Sequence, residues 1–241
     1  AKGLSFVNKI PVVPVDHIAA HIEAAFIDYP DIQYPLLALV VSGGHTTLFH
    51  QKSKFETEVI AKTRDDAVGE VMDKIAKFFD MGYPGGPILD KLWPEGDGKK
   101  YKFKYPRMSD GSNDFSFSGY KTAVIRHPEG KLMKPEDPAF KDLISSFLHS
   151  VMGYLLKKTQ KAVEEMNIKS VIVSGGVSRS TLLRKTFESA FNKPGSEVKL
   201  YMPSPRYCTD NASMIAWLGY EKYKAFPNEN YFDPYLNAYS R

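Results

Sequence analysis

Two stretches of this chain are built alike: ALVVSGGHTTL (38–48) and SVIVSGGVSRSTLL (170–183). Each is an apolar run of strand length, then Ser-Gly-Gly, then hydroxyl-bearing residues. An unbroken apolar run of that kind reads as a strand buried on both faces, as in a parallel sheet covered by helices on either side. Glycine directly after such a strand lets the backbone approach another group closely and exposes N–H groups that can hold an anion. A single copy is a tight strand-end turn. Two copies in one α/β chain predict a nucleotide cleft, because ligands of open α/β sheets gather at the carboxyl ends of the strands.

The other elements follow from periodicity. Ile18, Ile22, Ala25 and Phe26 predict a helix over 15–28, and 34–41 reads as a buried strand. Residues 65–80 form an amphipathic helix with Val68, Met72, Ile75, Phe78 and Phe79 inward, closed by MGYPGGP. Residues 92–118 read as turn-rich and then short-stranded, and a long helix spans about 137–166, ending near Asn167. VKLYMPSP gives another strand, and a final helix is capped at its start by Thr209 or Asp210. The 241 residues suffice for one large or two modest domains. No apolar run approaches the ~20 residues that span a bilayer. The opening AKGLSFVNKIPVV lacks the basic start, apolar centre and cleavage site of a secretory signal. Cys208 is the one cysteine, which leaves no internal disulfide and suits a reducing compartment. The expectation is a cytoplasmic protein with no membrane partner.

Net charge is only +4, too little to name a polyanionic partner. Its distribution says more. GKKYKFKYPR sets Lys99, Lys100, Lys102, Lys104 and Arg107 among Tyr101, Phe103 and Tyr105. In an extended strand alternate residues face opposite sides, so the lysines line one face and the aromatics the other. One reading is a basic edge for phosphates; the other is an edge strand protected by lysine with its aromatics in the core. The second has the stronger general warrant, since a basic strand alone is weak evidence for nucleic acid.

Chemistry enters with VPVDHIAAHIEAAF, where His17 and His21 stand four apart. At i and i+4 two imidazoles can reach one side of a single ion. This is not the His-Glu-x-x-His of zinc proteases: Ile18 follows His17, and Glu23 falls two residues past the second histidine. A third ligand must come from elsewhere, and Asp210 in CTDNA, at the mouth of the last helix, is the best candidate. The competing reading makes Asp210 an N-cap and the histidines ordinary surface residues. Spacing alone leaves both open.

Taken in order, HIAAH, VSGGHTTL, DDAVGEVMDKIAKFFDMGYPGGP, FSFSGYKTAV, VSGGVSRSTLLR and CTDNASMIA resemble the tRNA N6-adenosine threonylcarbamoyltransferases of bacterial TsaD type, once described as O-sialoglycoprotein endopeptidases. The likeness covers nearly the whole chain. It implies an α/β fold of the actin/Hsp70/sugar-kinase kind, with ribonuclease-H-like lobes around a nucleotide cleft and the first lobe incomplete in this sequence. On that basis residues 1–33 are a remnant of the N-terminal lobe with the histidine-pair helix. Residues 34–241 are the second lobe and its insertions, carrying the nucleotide-binding loops, with the final helix returning toward the first lobe.

The resemblance also implies one divalent metal ion per subunit, Fe2+ or Zn2+, on His17, His21 and Asp210. It places the substrate threonylcarbamoyl-AMP against Val41, Ser42, Gly43, Gly44 and His45, with further contacts from Asp73, Gly86 and Asp90. Asp73 has a plainer reading as a helix-surface charge pairing Lys77. Ser180 stands where the family usually has asparagine, a shorter arm with fewer hydrogen bonds. The implied reaction moves the threonylcarbamoyl group to N6 of adenosine 37 in tRNAs reading ANN codons. The implied partners are tRNA, a TsaB-type paralogue and a TsaE-type ATPase. No catalytic residue is assigned beyond the metal ligands, and Cys208 is not a nucleophile in this scheme.

Two departures stand out. The family's opening strand, with its Glu-Thr-Ser-Cys-Asp-Glu-Thr phosphate loop, has no counterpart in these residues, so an isolated fragment of this extent is expected to be inactive. YKTAVIRHPEGKLM is compressed relative to the family. Three other classes compete. A kinase-like member of the same superfamily would have no use for the histidine pair, a docking paralogue would generally lack it, and a metallopeptidase would need the missing glutamate.

Overall fold

The computed structural model describes residues 1–128 and 133–233. The centre of YKTAVIRHPEGKLM and the end of the expected 34–241 segment therefore lie outside the described residues. Five strands form one sheet: β1 (Leu36–Val41), β2 (Thr46–Ser53), β3 (Glu56–Lys62), β4 (Ser170–Ser174) and β5 (Lys199–Tyr201), in the order β3-β2-β1-β4-β5. The first three make an antiparallel meander, while β4 joins β1 in parallel and β5 joins β4 in parallel. The helices are α1 (Lys2–Asn8), α2 (His17–Asp28), α3 (Val68–Phe78), α4 (Gly85–Leu92), α5 (Ser118–Ile125), α6 (Pro138–Met166), α7 (Thr181–Phe191), α8 (Pro205–Cys208) and α9 (Ala212–Ala225).

Every residue of β1 and β4 is buried, as their apolar runs require. The two faces of β1 divide at period two. Leu37, Leu39 and Val41 join Val71, Ile75, Ile144, Phe147 and Val151 of α3 and α6 in the main core. Leu36, Ala38 and Val40 face the other way, against Ile22, Ala25 and Phe26 of α2. Thus α2, from the segment read above as a lobe remnant, packs on the same sheet that carries the glycine turns. A third cluster, Ala20 and Ala24 with Met214 and Leu218, seats α9 on α2. That contact brings residues 17–21 and 210 together.

Local signals set the ends of these helices. The Asp16 carboxylate accepts a hydrogen bond from Ala19 N at 2.7 Å and caps α2, worth about 1 kcal/mol. α6 starts with Pro138 in its first turn and stops at Asn167, which is left-handed at φ 50 and ψ 45. α9 departs from expectation: its cap is Asn211, whose side chain accepts from Met214 N at 2.9 Å. Neither Thr209 nor Asp210 caps it. Phe78 also departs, being 46% exposed where α3 ends. Residues 92–118 hold no strand beyond a single bridge from Phe115 to Thr63; residues 98–113 form an irregular arm along α6, with turns closed by Lys100 N to Asp97 O and Gly111 N to Met108 O. No described helix is long and apolar enough to cross a membrane.

Candidate functional site

The register of β1 and β4 pairs Val40 with Ser174, so the two Ser-Gly-Gly turns lie side by side at the carboxyl ends of neighbouring strands. They are not equivalent. The second follows β4 with Gly175 at φ +89, where a Cβ would sit 2.4 Å from the carbonyl oxygen of Val41. Strand approach demands glycine there. The chain then turns through Gly176–Arg179 into α7. The first joins β1 to β2: Ser42 N donates to His45 O at 2.8 Å, and His45 N donates to Ser42 Oγ at 3.1 Å. Of the four N–H groups from Ser42 to His45, two close the turn and those of Gly43 and Gly44 remain. Both glycines are exposed, and a Cβ on either would meet nothing within 4 Å. The fold does not require glycine at these two positions; a ligand approaching the backbone would.

Asp73 and Asp90 are tied to neighbouring helix starts. Asp73 Oδ1 accepts from Gly85 N at 2.7 Å, capping α4, in which Gly86 is half-buried; no Asp73–Lys77 ion pair occurs among the described residues. Asp90 accepts from Ser180 Oγ at 2.5 Å and from Thr181 N and Oγ1, each at 3.0 Å. Ser180 also accepts from Leu183 N at 3.2 Å, so the serine in place of asparagine caps α7 while bonding Asp90. Sequence reasoning missed Thr181 and Trp93, whose indole N–H donates to Thr181 Oγ1 at 2.9 Å. Nothing local marked that pairing, since the two residues meet only through the fold.

The histidine pair adjoins the same mouth: His45 of the first turn acts on His21, and a Cβ on Gly176 of the second would lie 3.9 Å from Thr209 Cγ2, next to Asp210. His17 Nε2 and His21 Nε2 both approach Asp210 Oδ1, at 3.3 and 3.2 Å. The three donor atoms all lie within 4.8 Å of one another. His21 is 2% exposed, His17 about half and Asp210 80%. Burial, then the charge of His17, lowers the His21 pKa; Asp210 pulls it the other way and His45 lowers it further. Its imidazole is therefore neutral near pH 7, with a lone pair to offer, and His45 of the first glycine turn lies near enough to act on it. Asn211, by taking the cap, leaves the Asp210 carboxylate turned to the histidines.

These residues fit a metal ion by donor chemistry and by spacing. Two nitrogens and one carboxylate oxygen suit iron(II) or zinc. Two ligands about 2.1 Å from an ion and 90–109° apart lie roughly 3.0–3.4 Å from each other, which spans the two histidine–aspartate separations; the two imidazole nitrogens lie within 4.8 Å of each other.

The sheet order, the paired glycine turns and the adjoining His-His-Asp cluster define an α/β protein of actin-like fold with a donor set for a first-row metal. Solved structures support the fold: HypF of T. kodakarensis superposes with a TM-score of 0.67 at 15% identity, over 92% of this chain and 39% of that one. A full-length HypF in phosphate- and nucleotide-bound form gives 0.65 at 12% identity, over 91% and 36%. The sequence profile described as "TsaD: tRNA N6-adenosine threonylcarbamoyltransferase" matches residues 1–217. Proteins of that name from Caldicellulosiruptor bescii and Thermosipho africanus are 44% and 43% identical. They match 100% and 93% of this chain, which covers 71% and 67% of their own lengths. The chain belongs to the tRNA N6-adenosine threonylcarbamoyltransferase family.

Proposed function

We propose that the chain performs its family's acyl transfer, from threonylcarbamoyl-AMP to N6 of adenosine 37 in tRNAs reading ANN codons. In this reading His17, His21 and Asp210 hold one divalent ion, Fe2+ or Zn2+. The observation that carries it is the approach of both Nε2 atoms to one carboxylate oxygen, at 3.3 and 3.2 Å, beside the glycine mouth. When bound, such an ion supplies Lewis acidity toward acyl oxygens. In this reading the N–H groups of Gly43 and Gly44 hold the phosphate of the adenylate, and the open space around both glycines supports it.

An exocyclic adenine amine is a weak nucleophile, so the chain contributes orientation and charge stabilisation. The N6 amine attacks the carbamoyl carbon and forms a C–N bond. The C–O bond to the phosphate breaks, the amine loses a proton, and AMP leaves. No covalent enzyme species is needed. Cys208 is suited to none, being buried with Sγ bonded to Pro203 O at 3.4 Å. The cytoplasm as the place of action, and tRNA, a TsaB-type paralogue and a TsaE-type ATPase as partners, rest on the family alone.

The test incubates the protein with threonylcarbamoyl-AMP, a tRNA transcript and the family's partner proteins. It then measures threonylcarbamoyladenosine by mass spectrometry and bound metal by elemental analysis. His17→Ala is expected to lose both product and metal. Full turnover in a metal-free sample would remove the role given to the three ligands.

A further inference from the structure

A groove of about 1700 Å³ runs between the arm at residues 98–113 and the outer face of α6, away from the site just described. The arm lies there because its aromatics alternate inward. Tyr101 and Phe103 pack on the core, Tyr101 N donates to Ser146 Oγ at 3.1 Å, and Ser150 Oγ donates to Phe103 O at 3.3 Å. The same alternation turns Lys102 and Lys104 outward, followed by Arg107, and all three are exposed. The opposite wall is α6, which adds Lys157, Lys158 and Lys161. These were invisible as part of one surface in the sequence, some fifty residues further on.

The charge is one-sided. Lys102, Lys104 and Arg107 have no acidic partner among the described residues, Glu164, at the far end, is the only acid in the lining, and of the α6 lysines Lys161 pairs Glu165 at 3.6 Å. Lys157 and Lys158 lie over the rings of Tyr105 and Tyr154, each 5.7 Å from the centroid. Burial, then the neighbouring Lys161, holds the Lys158 ammonium below its ordinary pKa, against the opposite pull of Asp114. Crowded like charges repel unless a polyanion is present. From His149 to Lys161 the α6 wall runs about 18 Å at 1.5 Å per residue, a length that suits a chain of phosphates better than one small anion. Trp93 links the near end to the mouth: it touches His149 in the groove, ring centroids 5.7 Å apart, and its indole bonds Thr181 beside Asp90.

We propose that the phosphate backbone of the tRNA lies in this groove, held by the arm on one side and α6 on the other. The inference rests on the transfer reading above and adds the surface that reading leaves open. Structured RNA is gripped largely through its phosphates and shape, so binding here is sensitive to salt. The test titrates the protein, with its partner proteins, against a tRNA transcript between 50 and 200 mM salt. Two variants reverse one wall each: K102E/K104E/R107E and K157E/K161E. A third, K193E/K199E, reverses two exposed lysines elsewhere.

Each wall variant is expected to bind tRNA about tenfold or more weakly, with the slope of log affinity against log salt shallower by about one per reversed cation. Metal content and melting temperature stay at wild-type values. Wild-type affinity and slope in both wall variants would overturn the groove, as would an equal loss in K193E/K199E, since net charge would then explain everything. A wild-type protein that binds no tRNA at any salt would instead defeat the transfer reading.

Discussion

Gly175→Ala tests the claim that the two glycine turns do different jobs. Gly175 sits at φ +89 and ψ 166, and a Cβ would lie 2.4 Å from Val41 O and 2.8 Å from Val41 C. Both are backbone atoms of the central strand and cannot swing aside. Forcing an alanine into that backbone region costs about 1–3 kcal/mol. Relieving the overlap by prising β4 from β1 adds about 1–3 kcal/mol, as for an overpacked core. The sum, roughly 2–6 kcal/mol, lowers the melting temperature by roughly 4–24 °C in a chain of this size. Gly44→Ala is the control: its backbone is ordinary and its surroundings are empty, so stability stays put or rises by about 0.4–1 kcal/mol through the unfolded state. Thermal denaturation followed by far-UV circular dichroism reads both. Melting temperatures within about 2 °C of each other would refute the close approach of the strands. Gly44→Ala is expected to fail in a different assay, by weakening threonylcarbamoyl-AMP binding while the fold is intact.

Other expectations concern single side chains. Asn211→Ala removes the α9 cap and the Nδ2 bonds to Tyr207 O and Thr209 O; urea denaturation should show a loss of about 1 kcal/mol from the cap, and metal titration a weaker site because Asp210 is no longer braced. Asn211→Asp keeps the cap but not those donors, so it should retain stability better than metal affinity. Burial tends to raise the Asp65 pKa, but bonds from Phe117 N, the Ser116 and Ser118 hydroxyls and Ser118 N outweigh it and hold the carboxyl below its ordinary range. A depressed folded pKa contributes stability above the unfolded value, about 3.9, that disappears as pH falls through the folded one. The wild type should therefore exceed Asp65→Asn in stability at pH 6, with the gap narrowing toward pH 3; a constant gap would contradict the assignment.

The most legible parts of the sequence were those where one property decides the outcome. β1 and β4 announce themselves because both faces are buried, and α6 because Pro138 opens it and Asn167 closes it. The hairpin of β2 and β3 gave no such signal: Val59 is 55% exposed and the first four residues of β3 face solvent, so no clean alternation survives. Asp210 and Asn211 are nearly equal as caps by type, and only the fold shows that the asparagine takes the role. His17 and His21 could be paired from spacing, yet their meeting with Asp210 depends on the Ala20, Ala24, Met214 and Leu218 contact between helices almost two hundred residues apart in sequence. The lysine arm was readable as basic but not as half of a groove.

The pairing of Val40 with Ser174 also fixes when the mouth can come into being. Its two halves are roughly 130 residues apart along the chain, a long loop to close. The meander of β1 to β3 can assemble from neighbouring sequence as soon as it leaves the ribosome. The cleft has to wait for β4, and Asp210 emerges later still, so a nascent chain acquires a partial sheet well before it acquires anywhere to place a substrate.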